Sequence, residues 1–557
     1  MEKVVILSIF LGVFLCIMLR GIEENKKKEE MMRKLFLENF GKANERMWKV
    51  EELERISHYA KSRESEQTID ELTWNDLDMD LIYQQMAYTQ SSLGDDYLYY
   101  MLRNPVKDED VLLDREKKIL CLSDHPELRI KLQVLFAQIG RIRDYSFSDY
   151  IKYLMEEEPR SNGKHYIVNG LLVLSVFLMI YNVGIGMVFF FFLILYNIVA
   201  YFKDKAYLEP YLLSLRYLFK IMDYGKEMMD VLPEEWEMER EEIKEILISM
   251  YKIRKNSYLV MSPGRLGGEG LELILDYLRM CFHLDIIKFN KMLLQLQKYE
   301  TEIWKIYEIM GETDACIAIT CYRAFLPENC NPKFQEIPKI IMEDGYHPLI
   351  ENAVANSLDM RQNVLLTGSN ASGKSTFLKT VGVNVLLAQT IHTCMAKDFT
   401  MPFCKLYTSM SLKDSIALKE SYYMAEIKAM KRILDSANRE NMVVCMVDEV
   451  LRGTNTVERI AASTQILKSL TKKNVLCMAA THDVELTKTL EKEYDNYHFE
   501  ESMDQDDVRF SYCLKKGRAN SSNAINLLEH LGYDDNLVIK AREMVNRFEQ
   551  QGEWICE

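Results

Sequence analysis

Apolar and polar positions divide the chain into distinct regimes. From about residue 335 onward, short apolar runs alternate with helix-length stretches: "NVLLTG" (363–368), "MVVCMVDE" (442–449) and "VLCMAATH" (475–482). Short β-runs that alternate with helices predict a sheet covered by helices. Residues 66–155 and 203–330 instead carry helical periodicity, as in "EWEMEREEIKEILISMYKIRK" (235–255). Turn residues mark loops at "SSLGDD", "RNPVKDED" and "MSPGRLGGEG". Residues 21–65 read as a charged, Met-rich helical stalk.

Two stretches are more apolar than a soluble fold needs. Val4–Leu19 has no charged residue and is flanked by Lys3 and Arg20, which can snorkel. It lacks the cleavage site of a signal peptide. Tyr166–Phe202 is 37 residues without a charge, too long for one ordinary span at about 1.5 Å per residue. Asn182 and Gly184 in "IYNVGIG" offer a turn, so two helices in a tight hairpin are expected, making three transmembrane segments in all.

The expected organisation is an anchor (1–20), a stalk (21–65), a first helical core or lever part (66–165), a transmembrane hairpin (166–202), a second lever part (203–335) and an α/β domain (336–557). Lys and Arg cluster beside the apolar segments: Arg20, Lys26, Lys27, Lys28, Arg33 and Lys34, then Arg160 and Lys164, then Lys203 and Lys205. The hairpin tip has none. The positive-inside rule then places most of the chain in the cytoplasm, as a multi-pass protein of the cytoplasmic membrane.

Composition adds limits. A chain of 557 residues holds about three or four domain-sized units. The formal charge of −15 excludes a polyanion binder of the whole-surface kind but leaves room for a local basic groove. The 12 cysteines are scattered, with no C-x-x-C pair and no Cys/His set at metal spacing. They read as buried apolar residues in a reducing compartment.

The chemistry lies in the C-terminal third. Gly368-Ser369-Asn370-Ala371-Ser372-Gly373-Lys374-Ser375-Thr376 follows an apolar run and precedes a helix. The pattern G-x-x-x-x-G-K-[ST] lets backbone N–H groups wrap a phosphate, with Lys374 placed for the β- and γ-phosphates and Ser375 for Mg²⁺. The apolar run to Asp448-Glu449 supplies a metal-holding carboxylate and a base for the attacking water. A further run ends at His482, where an imidazole can donate to the γ-phosphate. This order is that of the ATP-binding-cassette ATPases, whose sites close when a second subunit brings a signature serine.

"TGSNASGKSTFLKTVGVNVLLAQT", "ESYYMAEIKAM", "VDEVLRGTNTVE" and "ATHDVEL" together resemble the ATPase domain of the MutS family of DNA mismatch-repair proteins. The resemblance is strong over about 345–545, including "GYHPLIENAVAN", and weaker over 66–155. It implies ATP and Mg²⁺ as cofactors, Ser421 as the serine acting in trans, and Arg452–Thr456 as a loop crossing a dimer interface. The implied partners are a second copy or a paralogue and double-stranded DNA. The chain departs from the family pattern in three respects. The Phe-x-Glu mismatch reader has no counterpart in a suitable context, Ala353 stands where an adenine-stacking aromatic is expected, and the membrane segments are foreign to the soluble enzyme. Two functions follow: an ATP-dependent DNA clamp at the membrane, or a membrane mechanochemical ATPase with no DNA partner. A transporter is a weaker third reading, because no intramembrane charge marks a substrate path.

Overall fold

A computed structural model describes residues 2–142, 146–158, 160–254, 277–369, 372–410, 422–439, 441–451, 454–504, 507–518, 525, 528 and 532–551. The chain divides into two compact units: Met1–Arg63, Met86–Tyr100 and Lys117–Phe325 form one, and Glu64–Gln85, Met101–Glu116 and Leu326–Glu557 form the other.

The first unit is helical. Its core is aromatic, with Phe147 stacked on Tyr307 at 5.4 Å and Tyr59 5.4 Å from Tyr307. Asp314, fully buried on the helix Glu300–Phe325, accepts from the backbone N–H groups of Gln90 and Ser91 and from the Ser91 hydroxyl (2.5 Å). This contact changes the reading of "SSLGDD". The helix Ser92–Arg103 begins inside that stretch, and Gly94 lies in its first turn. A Cβ on Gly94 would fall 2.1 Å from the Asp314 carboxylate, so the glycine serves close helix packing and not a loop.

The expected hairpin is present as two helices, Gly163–Tyr181 and Val183–Val231, which meet at Asn182. The Asn182 side chain accepts from the Ile185 N–H at 3.2 Å and so caps the second helix. The glycine that permits close approach is Gly186, where a Cβ would lie 2.4 Å from the Met179 nitrogen. Most apolar side chains from Ile167 to Phe202 are exposed. Three polar ones turn inward. Asn169 and Asn197 donate to the carbonyls of Phe282 and Cys281, both at 2.8 Å, and Tyr201 donates to Asp285 at 2.8 Å.

Three membrane spans were expected; among the described residues two helices have the length and apolar composition of a span. Gly163–Tyr181 and Val183–Glu209 are long and apolar enough to cross a bilayer. Val4–Leu19 lies in one continuous helix, Glu2–Asn39. Its apolar part would rise only about 24 Å, short of a hydrocarbon core of about 30 Å.

The second unit is built on two sheets. The larger runs β10-β9-β4-β8-β7-β6, with β4 (Asn363–Thr367), β6 (Lys405–Ser409), β7 (Val443–Asp448), β8 (Val475–Thr481), β9 (Tyr494–Asp504) and β10 (Asp507–Lys516). All neighbours pair in parallel except β9 and β10. Every residue of β4, β7 and β8 is buried, as expected of parallel strands covered on both faces. The smaller sheet runs β1-β5-β2-β3, with β1 (Lys333–Phe334), β2 (Ile340–Gly345), β3 (Asn356–Met360) and β5 (Asp398–Met401).

The edge strand β6 is covered by the helix Glu71–Asp76. Asp76 accepts from the Thr408 hydroxyl (2.7 Å) and the Met410 N–H (3.0 Å). Val106 N–H donates to Gln389 at 2.9 Å, and Glu116 lies 3.1 Å from His392. These contacts tie Glu64–Gln85 and Met101–Glu116 into the unit that carries the sheet and close an otherwise open edge.

Candidate nucleotide site

Strand register brings three separated motifs to one edge. Thr367 pairs with Thr481, and Asp448 pairs with Ala480. The carboxyl ends of β4, β8 and β7 therefore lie side by side, where open parallel sheets place their ligands.

The chain leaves β4 through Gly368, at φ 151°, and reaches the helix Lys374–Ile391 through Gly373, at φ 105°. Both conformations favour glycine. A Cβ on Gly368 would also sit 2.7 Å from Ser372 Oγ and 3.2 Å from the Phe499 carbonyl. Lys374 Nζ donates to the carbonyls of Gly368 (2.8 Å) and Ser369 (2.6 Å), so the ammonium lies in the concavity of the loop. Ser372 is buried, and among the described residues its Oγ has no hydrogen-bond partner. A buried hydroxyl and an ammonium beside a helix N-terminus fit anionic oxygens.

Ser375 Oγ donates to Asp448 Oδ2 at 2.5 Å. One residue on, Glu449 adopts φ 61°, a strained region for a non-glycine residue. Its N–H is held by the Ala480 carbonyl at 2.9 Å, and its Oε1 lies 2.7 Å from His482 Nε2. Arg459 grips both carboxylate oxygens of Asp483 at 2.7 and 2.9 Å, which fixes the turn just beyond His482.

Ser372, Gly373, Lys374, Ser375, Thr376, Asp448, Glu449, His482 and Ala353 all line one cleft of about 690 Å³. Asn370, Ala371, Ser421 and Arg452 lie outside the described residues. Thr456 opens the helix Thr456–Ser469, which Asn455 caps by accepting from Glu458 N–H.

The cleft also holds Tyr512, which no motif marked, and His347, which "GYHPLIENAVAN" contains but which had no site role assigned. A register shift between Phe510 and Leu514 breaks the β9–β10 ladder. Asn356 pins that irregularity, donating to the Tyr512 carbonyl (2.9 Å) and accepting from Leu514 N–H (2.6 Å). The Tyr512 ring lies over Gly373, 3.2 Å from where a Cβ would stand. A bulge re-aims a side chain without any signature in the sequence.

His347 accepts the Leu349 N–H at Nδ1 (3.3 Å), and its buried Nε2 has no partner among the described residues. Burial, and then the nearby Lys379 ammonium, push its pKa down to about 4, against a smaller opposing pull from Asp78. Its contribution to stability is therefore full above the ordinary value near 6.5 and is lost as pH falls towards 4. At about 1.4 kcal/mol per pKa unit, the loss is about 3 kcal/mol. Chemical denaturation at pH 7 and pH 4.5 should show a smaller acid loss for His347→Asn than for wild type. Equal losses in both proteins would contradict this assignment.

A parallel, helix-covered sheet with a glycine-bounded loop, a buried lysine and two strand-end carboxylates defines the P-loop nucleotide-binding class. Residues 364–549 match the family described as MutS domain V. Relatives named DNA mismatch repair protein MutS include that of Aquifex pyrophilus, 33% identical over 230 residues, covering 39% of this chain and 26% of the relative. The one from Clostridium kluyveri is 28% identical over 286 residues, covering 48% and 32% respectively. The one from Thermotoga petrophila is 29% identical over 270 residues, covering 46% and 33%. Over this C-terminal domain the chain is similar to the MutS family. It spans about a quarter to a third of the length of these relatives.

Proposed function

We propose that the C-terminal unit binds ATP with Mg²⁺ and hydrolyses it, and that the hydrolysis is coupled to clamping of double-stranded DNA by a dimer at the cytoplasmic membrane. The observation that carries this reading is the convergence of Ser375–Asp448 and Glu449–His482 on the cleft of the phosphate loop. Lys374 and the loop N–H groups would hold the β- and γ-phosphates, and Ser375 with Asp448 would hold the metal. Bound Mg²⁺ supplies charge neutralisation at the phosphates. Glu449 accepts the proton of the attacking water, and His482 orients Glu449 and donates to the γ-phosphate. Tyr512 offers the aromatic face for the base that Ala353 lacks. A second copy, or a paralogue, completes the site with Ser421.

DNA enters this reading from the family resemblance, and its contacts would be to phosphates, hence salt-dependent. ATP turnover in detergent or nanodiscs should change on addition of duplex, mismatched or branched DNA. The effect should fade steeply as salt rises through about 50–200 mM. Turnover indifferent to every DNA would remove DNA from the proposal.

The exposed apolar hairpin favours a second reading, a membrane-coupled ATPase that pulls on or signals through its spans without DNA. In that case turnover responds to lipid composition and not to DNA.

A further inference from the structure

Cys330 and Cys394 face each other across an isolated antiparallel bridge in the second unit. Each N–H donates to the other's carbonyl, both at 2.9 Å. This is the hydrogen-bonded register, with Cα atoms about 5.5 Å apart, and directly opposite side chains share a face. A disulfide requires a Cα separation of about 4.4–6.8 Å, so the backbone already meets the requirement.

The frame around the pair is held from several sides. Tyr346 N–H donates to Met395 O (3.0 Å), and Tyr346 Oη donates to Glu328 O (2.5 Å). Met395 N–H donates to Asn384 Oδ1 at 2.7 Å, which anchors the bridge to the helix Lys374–Ile391. Access is asymmetric, because Cys330 is partly exposed and Cys394 is buried. A hydrogen bond from the Cys394 side chain lowers the Cys330 thiol below its usual range, against burial and the nearby Asp398 carboxylate. The accessible sulfur is therefore the one with the lowered thiol, and the other sulfur of the pair is buried.

We propose that Cys330 and Cys394 are a redox-modification site, in which a hydroperoxide oxidises Cys330 and Cys394 resolves it to a reversible disulfide within one chain. The Cys330 thiolate attacks one peroxide oxygen, and the O–O bond breaks to give a sulfenic acid and hydroxide. The Cys394 sulfur then attacks the Cys330 sulfur. The S–S bond forms, the S–O bond breaks, and the oxygen leaves as water with the Cys394 proton. Two thiols lose two hydrogens while hydrogen peroxide is reduced to two waters. The buried pair Cys445 and Cys477, opposite each other on β7 and β8, is out of reach of the oxidant and serves as an internal control.

The test is peptide mapping of the full chain in detergent after hydrogen peroxide and alkylation. Wild type should yield one linked peptide pair, 330 with 394, that is lighter by two hydrogens and is separated by dithiothreitol. Cys330→Ser should give no link. Cys394→Ser should leave Cys330 as a sulfenic acid trapped by dimedone, about tenfold above wild type. Serine is close to cysteine in size, and both variants keep the bridge's backbone bonds. Dimedone labelling of wild type equal to that of Cys394→Ser would overturn the proposal, as would a 330–394 link that forms only in urea.

Discussion

Glu449→Gln binds ATP and loses turnover by about 10²–10⁴-fold, the range supplied by a positioned general base. The substitution keeps shape and length. Glu449 Oε1 lies 2.7 Å from His482 Nε2, and a glutamine oxygen can accept the same imidazole N–H, so the turn survives. What disappears is an oxygen able to take a proton. Binding should persist because its groups are elsewhere: Lys374 within the loop, and Ser375 on Asp448. Lys374→Ala is the complement and should weaken ATP binding itself. Phosphate release together with equilibrium binding of a fluorescent ATP analogue separates the two effects. Near-normal turnover in Glu449→Gln would remove Glu449 from the role of base.

Asp95→Ala destabilises the helical unit by about 3 kcal/mol, the lower end for breaking a buried ion pair. The Asp95 carboxylate is almost wholly buried and accepts from Arg46 Nη1 at 2.9 and 3.1 Å, from Arg141 Nε at 2.9 Å, and from the Thr89 hydroxyl. Truncation leaves two guanidinium groups without that counter-charge. The lower end applies because Arg46 and Arg141 keep some solvent contact and Arg46 also lies 3.4 Å over the Trp48 ring. Burial raises the carboxyl pKa, but Arg141 and Arg46 outweigh it and hold the group below the ordinary carboxylate value of 3.8. Its stabilisation is thus present above that value and is lost as pH falls below it. Urea unfolding followed by tryptophan emission and helical circular dichroism should show the loss at pH 7 and a smaller difference between variant and wild type in acid. A change under about 0.5 kcal/mol, the level of an ordinary surface substitution, would show that the network carries no stability.

The candidate site was only partly legible in the sequence. Gly368–Thr376, Asp448, Glu449 and His482 each belong to a contiguous motif whose spacing follows from wrapping a phosphate or ending a strand. Their convergence follows from parallel register, and a sheet of alternating strands and helices already implied it. Tyr512 had no such signal, and His347 was marked only as part of "GYHPLIENAVAN", with no place in the cleft assigned to it. Tyr512 enters the cleft because a bulge fixed by Asn356, far away in sequence, turns it there. His347 is a cleft residue only because burial leaves its Nε2 against that wall.

The sequence by itself determined the local terms: which runs are strands, which glycines bend the phosphate loop, and which apolar stretch forms the two-helix hairpin about Asn182. Periodicity, backbone sterics and bilayer thickness act over a few to a few tens of residues, so they can be read from neighbours in the chain. The tertiary structure decided the long-range terms. Gly94 belongs to a helix because Asp314 packs against it. Glu64–Gln85 joins the sheet-bearing unit because Asp76 closes the β6 edge. Cys330 meets Cys394 because a two-residue bridge brings them together. Such pairings depend on contact between residues remote in sequence, whose closure entropy is repaid only by burial and hydrogen bonds formed once the fold is complete.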